Sequence, residues 1–223
     1  MGGANALAVE TASGQWEILQ AGSAELIAAG RYRLTRLLRG QRGTEGAVAK
    51  MVAIGARIVV LDSAVTPLPI SEADLGLPWN WRVGPASRAV SDDTYVAASF
   101  TPEGAGLSPF SVAHVEQPWR TGRSPGDLTI RWTRRSRSLA ADAWGVGDVP
   151  LAEDSEAYEL EIRDGAIIKR TLTASTTSAL YTAAQQVTDW GALLAPGNSL
   201  QLRIYQLSAL IGRGAVRSVT LTF

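Results

Sequence analysis

Short runs of alternating apolar and polar residues dominate the second half of this chain. Residues 128–133 read LTIRWT and residues 158–163 read YELEIR, and shorter runs of the same kind occupy 200–204 and 219–223. A period of two places every apolar side chain of a run on one face of a β-strand. A series of such strands, with Trp132 facing inward early in the series, predicts an immunoglobulin-like β-sandwich.

Two connections in this half have signatures of their own. Asp164-Gly165 follows one alternating run and leads into another at 166–172, which predicts a β-hairpin with a type I′ turn. Residues 181–191 (YTAAQQVTDWG) have a partly helical pattern. We expect this segment to form a connection that caps one end of the sandwich.

The first half of the chain is more irregular. Apolar runs at 15–19 and 24–27, separated by Gly22, predict two short strands, and residues 31–38 predict a strand that runs into a glycine-bounded turn. Residues 55–62 (GARIVVLD) are rich in β-branched side chains, as expected of a strand covered on both faces. Proline and glycine interrupt the next segment so often that only brief strands fit there.

These patterns predict a mainly β protein in which an irregular β-rich domain precedes the sandwich. Residues 117–126 (QPWRTGRSPG) carry two prolines and two glycines without apolar periodicity, so we interpret them as a linker. The first domain then spans 1–116 and the sandwich spans 127–223. A long loop at 138–156 separates the first two clear strands of the sandwich, and loops of this kind often carry function.

Composition argues against several classes of function. Twenty-one basic and 21 acidic side chains give a net charge of zero, so nucleic acid is an unsuitable partner. The chain has no cysteine, which excludes disulfides, thiolate catalysis and cysteine-based zinc sites. Its apolar runs are far shorter than the roughly 20 residues of a membrane helix, and no Sec-type signal pattern begins the chain. We expect a soluble chain without membrane insertion.

No motif in the sequence predicts an enzyme, a metal site or a cofactor. Residues 122–126 (GRSPG) match a nucleophile elbow around Ser124, but no apolar strand precedes this serine and the only histidine, His114, lies before it. We interpret the match as an interdomain turn. The acidic cluster at 153–156 lacks the spacing of a Ca²⁺ loop, and glycine-rich phosphate-binding motifs do not occur.

Four tryptophans lie in predicted loops: Trp79, Trp81, Trp144 and Trp190. An exposed indole ring can stack on a sugar or anchor a protein interface. These residues are therefore the candidate contacts to a glycan or another surface. The alternative interpretation is that the four indoles fill small, irregular cores.

Residues 31–45 (RYRLTRLLRGQRGTE) concentrate five arginines among leucines and glycines. Because the chain is neutral, a nucleic-acid patch is a poor explanation for them. We expect Arg36, Arg39 and Arg42 to act as structural clamps that bind carboxylates or backbone carbonyls within the turn-rich first domain. The alternative is that the arginines of this stretch bind acidic surfaces of neighbouring subunits.

Several segments together resemble one family. RYRLTRLLRGQRGTE, GARIVVLD and NWRVGPASR resemble the C-terminal part of the large tail-tip hub protein of siphophage-like particles, most closely the "megatron" protein of alphaproteobacterial gene transfer agents. LTIRWTRRSR, EAYELEIRDG, YTAAQQVTDWG and LRIYQLSALIGRG are similar to the fibronectin type III-like domain that follows in that family. The likeness spans residues 15–223.

The resemblance implies a non-enzymatic structural component of the distal tail tip that presents β domains for assembly or host contact. The implied partners are other tail-tip subunits, the upstream domains of a trimeric hub, and a glycan or protein on the host surface. The implied location is the tail tip of a particle made in the bacterial cytoplasm. The family's glycosidase-like barrel does not fit into 223 residues, so its activity is not carried over. The alternative prediction is a carbohydrate-binding module that uses the loop tryptophans.

Overall fold

The structure is a computed structural model that describes residues 5–116, 125–138 and 149–223. The protein is mainly β and its paired strands are antiparallel, with an irregular β-rich unit before an immunoglobulin-like sandwich, as the sequence predicts. The strands described in the first unit are β1 (Ala6–Glu10), β2 (Trp16–Ala28), β3 (Arg31–Gln41), β4 (Ile58–Val60), β5 (Trp79–Val83) and β6 (Val96–Phe100).

The first unit contains one larger sheet and one separate ribbon. The sheet has the order β3–β2–β1–β4, and within the part of the chain that the structure describes β5 pairs only with β6. Three short 3₁₀ turns, Glu45–Ala47, Glu72–Asp74 and Ala105–Leu107, lie in the connections. The apolar core of the sheet is small, because only Leu7, Val9 and Leu19 form its buried cluster, with Leu34 packed against them.

The two short strands predicted around Gly22 are one continuous strand, β2, so Gly22 is not a strand break. A side chain at Gly22 would place its Cβ 2.9 Å from the Cβ of Arg36 on β3. Arg36 has a positive φ of 54° inside its own strand, and the pairing register between β2 and β3 is the same on both sides of it. The glycine is therefore a close-approach position between β2 and β3 rather than a turn residue.

The expectation that residues 55–62 form a strand covered on both faces is wrong. The strand is only β4, at the end of the sheet order, and Ile58, Val59 and Val60 are all exposed. A run of β-branched residues satisfies the backbone preferences of any strand, whether central or at an edge. The sequence pattern alone could not separate these two situations.

The sandwich consists of two facing sheets. One sheet pairs β7 with β10, and the other has the order β9–β8–β11–β13, with β12 pairing at the end of β11. The elements described in this unit are β7 (Leu128–Arg131), β8 (Tyr158–Asp164), β9 (Ile167–Ala174), β10 (Ser178–Tyr181), α1 (Ala183–Trp190), β11 (Ser199–Ser208), β12 (Gly212–Arg213) and β13 (Arg217–Thr222).

A segment before the predicted linker also belongs to the sandwich. Ala113 forms an antiparallel bridge with Thr133, and Val112 is buried in the same apolar cluster as the sandwich strands. Val115 packs against that cluster as well. Most of the predicted linker, 117–124, lies outside the described residues, so the boundaries derived from the sequence stay a prediction.

The sandwich core forms from the alternating residues that the sequence singles out. Trp132 and Tyr158 meet edge to face with ring centroids 5.1 Å apart, and Tyr158, Leu160 and Ile162 of β8 are fully buried. The predicted β8–β9 hairpin is present. Its loop residues are Gly165 and Ala166, and only Gly165 has a positive φ, so the predicted type I′ geometry is wrong.

The predicted helical connection is α1, whose ends are well defined. Thr182 and Gln185 form a capping box at its start, and Gly191 ends it with a φ of 78°. The fully buried Gln186 side chain donates to the carbonyls of Gly126 and Tyr181 and accepts from the N–H of Leu194. In the described ranges, no helix combines the length and apolar character needed to cross a membrane.

Candidate assembly surface

A buried ion pair holds the base of the β2–β3 hairpin. Glu17 is fully buried, and Arg39 Nε donates to its Oε1 at 2.8 Å while Arg39 Nη2 contacts Oε2. The N–H of Gly40 donates to the same Oε1 at 3.2 Å, and Arg39 Nη1 donates to the carbonyl of Ala49 at 2.8 Å. A planar guanidinium suits this two-pronged contact, and the extra donors satisfy a carboxylate that burial would otherwise destabilise.

The turn after Arg39 is fixed by its small residues. Thr44 Oγ1 accepts from the N–H of Ile18 at 2.9 Å and donates to the carbonyl of Gln41 at 2.7 Å. Gly43 has a φ of 79°, and a Cβ there would lie 1.6 Å from the carbonyl oxygen of Ala105. Only glycine fits at this position, because both the space and the backbone angle exclude a side chain.

Glu45, at the end of this turn, connects the first unit to the sandwich. Its Oε2 accepts from the N–H of Ser111 at 2.8 Å, and its Oε1 pairs with Arg135 Nη1. The guanidinium of Arg135 also lies 5.0 Å from the ring centroid of Phe110. The conspicuous motif of residues 31–45 therefore ends in a junction between the two units.

Beyond this base, the distal half of the β2–β3 hairpin projects with apolar side chains in solvent. We call residues 24–38 the arm. Leu26 and Tyr32 lie directly opposite each other and are 60% and 62% exposed, and Ile27, Leu37 and Leu38 are exposed as well. The polar pair Glu25–Arg33, joined at 3.4 Å, faces the other side of the ribbon.

The three predicted clamp residues have different environments. Arg39 makes the buried contact with Glu17, but Arg36 and Arg42 are exposed and, among the described residues, have no hydrogen-bond or ion-pair partner. Both have positive φ, 54° and 53°. The structure thus places only Arg39 in a bracing contact, and it leaves Arg31 and Arg36 as charged groups on the arm.

The tryptophans predicted as surface contacts also lie in different environments. Trp79 and Trp81 lie two residues apart on β5, and their rings stack at 5.4 Å with a 17° interplanar angle. Both are half-buried, and the strand opposite places Ala98 and Phe100 on the same face. Trp144 lies outside the described residues.

Trp190 is part of a polar network at one end of the sandwich. Its Nε1 donates to Tyr181 Oη at 2.8 Å, which donates to Asp189 Oδ2 at 2.8 Å, and Lys169 lies over the indole ring. Arg170 donates to both carboxylate oxygens of Asp189 at 2.7 and 2.8 Å. Burial raises the pKa of Asp189, but hydrogen bonds from Arg170 and Tyr181 outweigh it and hold this pKa below its ordinary value.

A large open cleft lies beside the junction, with a volume of about 1030 Å³. Of the described residues in its lining, Glu72 and Glu103 are acidic and none is a lysine, arginine or histidine. Among the described residues neither glutamate has an ion-pair partner. The larger apolar side chains of the lining are Trp16, Ile70, Leu75, Phe100, Leu107 and Ile211.

The acidic cluster at 153–156 is paired with arginines. Glu153 pairs with Arg137 at 2.8 Å and Glu156 pairs with Arg134 at 3.6 Å, so these acids neutralise nearby arginines. In the described ranges, no group of three acidic, histidine or cysteine side chains is arranged to hold a metal ion. Ser124 lies outside those ranges.

Sequence reasoning missed both the arm and the cleft. The apolar residues of the arm follow the alternation of ordinary strands, which does not reveal whether a covering layer exists. The cleft brings together segments as far apart as Trp16 and Ile211, and no local pattern connects them. The one available signal for the arm was the mixture of leucine and arginine in residues 31–38.

Part of the first unit matches a known family model. The family model described as "Rcc01698-like, C-terminal" matches residues 1–59, which contain β1–β3 and the Glu17–Arg39 pair. Among solved structures, the chain is similar to domains d3–d4 of the rat CD45 extracellular region, at 9% identity and a TM-score of 0.33, over 89% of this chain and 93% of that chain. No curated protein matches the chain. The strand arrangement itself defines a mainly β protein whose second unit is a β-sandwich.

We predict that Arg39→Lys lowers the free energy of unfolding by about 2 kcal/mol, because lysine cannot reproduce the two-pronged contact and leaves a buried carboxylate short of donors. Urea unfolding followed by circular dichroism measures the change. Arg36→Lys, in the same strand, is the matched control and should change the unfolding free energy by less than about 0.5 kcal/mol. Equal effects of the two substitutions would contradict the assigned role of Arg39.

The lowered pKa of Asp189 predicts a pH-dependent contribution to stability. This contribution is fully present above the unfolded pKa near 3.9 and is lost as the pH falls toward the folded pKa. We expect Asp189→Asn to cost about 2 kcal/mol at pH 7 and much less at pH 3. Urea titrations at pH 7, 5, 4 and 3 measure this difference. Asp164→Asn, at an exposed carboxylate, should show neither effect, and a constant cost for Asp189→Asn at every pH would refute the linkage.

Proposed function

We propose that this chain is a structural component of the distal tail tip of a gene transfer agent or siphophage-like particle. The observation that carries the proposal is the arm, which holds Leu26 and Tyr32 in solvent on a base fixed by the Glu17–Arg39 pair. An apolar ribbon on a rigid base is costly for a free monomer and suits a subunit whose neighbours cover it. The chain acts by presenting its β domains for assembly, without catalysis.

The resemblance of the motifs supports the same proposal. The segment RYRLTRLLRGQRGTE, which most resembles the tail-tip hub family, forms the second strand of the arm and the junction with the sandwich. This segment therefore includes Glu45, the residue that contacts the backbone of Ser111 and the side chain of Arg135. The proposed partners are other tail-tip subunits and upstream hub domains, and the proposed location is the tip of a tail assembled in the bacterial cytoplasm.

Contact with a host surface belongs to the same proposal. The stacked pair Trp79 and Trp81 lies on a ribbon that pairs with no other strand of the described residues, and the exposed Val83, Val96 and Phe100 lie on the same face. Such a face is suited to a protein or glycan ligand. The second candidate function, a carbohydrate-binding module, rests on this ribbon alone.

We predict that the chain copurifies with intact tailed particles and lies at the distal end of their tails. An epitope-tagged chain in the producing strain, followed by particle purification, mass spectrometry and immunogold electron microscopy, tests both points. Leu26→Asp/Tyr32→Asp should reduce incorporation at least tenfold, because it places two charges in a covered apolar contact. Ile167→Asp, at an exposed apolar position on the β8–β9 hairpin, is the control and should incorporate normally. Absence of the wild-type chain from the particles would refute the proposal.

The carbohydrate-binding candidate predicts a measurable affinity for cell-envelope polysaccharide. Titration calorimetry with the purified chain and a glycan array measures it, and Trp79→Ala should weaken binding at least tenfold if the ribbon stacks on sugar. Trp190→Ala is the comparison, because its indole is engaged by Tyr181 and Lys169. Absence of glycan binding by the wild-type chain removes this candidate and leaves the assembly role.

A further inference from the structure

The arm is basic as well as apolar. Residues 24–38 contain one glutamate and three arginines, in a chain with a net charge of zero. Among the described residues Arg31 has no carboxylate partner. The Arg33–Glu25 contact at 3.4 Å is exposed on both sides, so it contributes little and Arg33 can exchange its partner. The arm therefore presents apolar side chains flanked by available positive charge.

The cleft has the complementary character. Its walls include large apolar side chains such as Leu75 and Phe100, and its charged lining residues are Glu72 and Glu103. No basic side chain among the described lining residues neutralises them. A volume of about 1030 Å³ is sufficient for several apolar side chains at once. An apolar, basic segment is thus the kind of occupant that the cleft fits.

The arm cannot occupy the cleft of its own chain. Trp16, which lines the cleft, is the first residue of β2. The arm contains the other end of that strand, at Ala28. Twelve residue steps along an extended strand separate the two sites by roughly 40 Å. The β2–β3 pairing and the Glu17–Arg39 pair keep the strand extended. Contact between arm and cleft is therefore intermolecular.

We propose that the arm of one copy of this chain inserts into the cleft of a second copy. Leu26, Ile27 and Tyr32 would enter between the apolar walls, and Arg31 and Arg33 would face the acidic lining. The contact removes the apolar surface of the arm from water and pairs the unneutralised charges of both surfaces. Because donor and acceptor surfaces differ, the association is head-to-tail, and it closes into a ring or continues as a chain of copies.

A second copy is favoured over an unrelated partner because both complementary surfaces occur on one chain. In the monomer, the arm and the cleft both expose apolar side chains to water. One type of intermolecular contact covers both surfaces. The proposal concerns the isolated chain and is independent of its place in a particle. Failure of self-association and failure of particle incorporation are therefore separate outcomes.

The test is the self-association of the full chain, measured by sedimentation velocity between about 1 and 200 µM, where specific interfaces of ordinary size are detected. The wild-type chain should gain mass with concentration, more strongly at 50 mM than at 500 mM NaCl, since screening weakens the charge pairs. Arg31→Glu/Arg33→Glu in the arm and Glu72→Arg/Glu103→Arg in the cleft should each weaken association at least tenfold. Arg131→Glu/Arg217→Glu, at two exposed sandwich arginines, is the matched control and should associate like the wild type.

Mixing the two variants distinguishes this contact from any other. An arm with glutamates meets a cleft with arginines, and the reverse contact also pairs opposite charges, so an equimolar mixture should regain association within about threefold of the wild type. Circular dichroism checks that every variant is folded. A wild-type chain that stays monomeric at all concentrations overturns the proposal, and so does association that survives the single variants or is not restored by mixing.

Discussion

The bidentate contact between Arg39 and Glu17 is the interaction on which the first unit depends. The apolar cluster of its main sheet contains few residues, so packing alone contributes modest stability. A carboxylate buried inside this sheet is tolerable only because three donors reach it, from Arg39 and the N–H of Gly40. The pair fixes where β3 ends and the glycine-bounded turn begins, and the direction of the arm follows from that geometry.

Glu45, at the end of the turn, connects the base of the hairpin to the sandwich. One carboxylate connects the backbone of Ser111 with the side chain of Arg135, so it joins a connecting segment and the sandwich to the base of the hairpin. Gly43 allows the close approach of Ala105 that brings these groups together. Residues 31–45 therefore contribute three features: one strand of the exposed arm, the buried contact of Arg39, and the junction at Glu45.

The sequence was sufficient for the sandwich because a period of two records which side chains face inward, as at Trp132 and Leu160. It was insufficient for the first unit, where partners come from distant segments. Equal spacing of arginines does not reveal that a carboxylate lies opposite Arg39 and none lies opposite Arg36. The cleft is built from segments far apart in the chain, so no local pattern predicts it. Hydrophobic alternation likewise does not say whether a strand such as β4 is covered.

The positive φ of Arg36 bears on how the exposed edge of β3 behaves in a chain that has not yet assembled. β3 is an edge strand, and a long regular edge would template sheet growth between newly made copies. The left-handed backbone at Arg36 departs from regular strand geometry, although the register with β2 continues across it, and the exposed arginines of β3 disfavour contact with an identical edge. We therefore expect the same residues that give the arm its charge to disfavour edge-to-edge pairing of newly made copies.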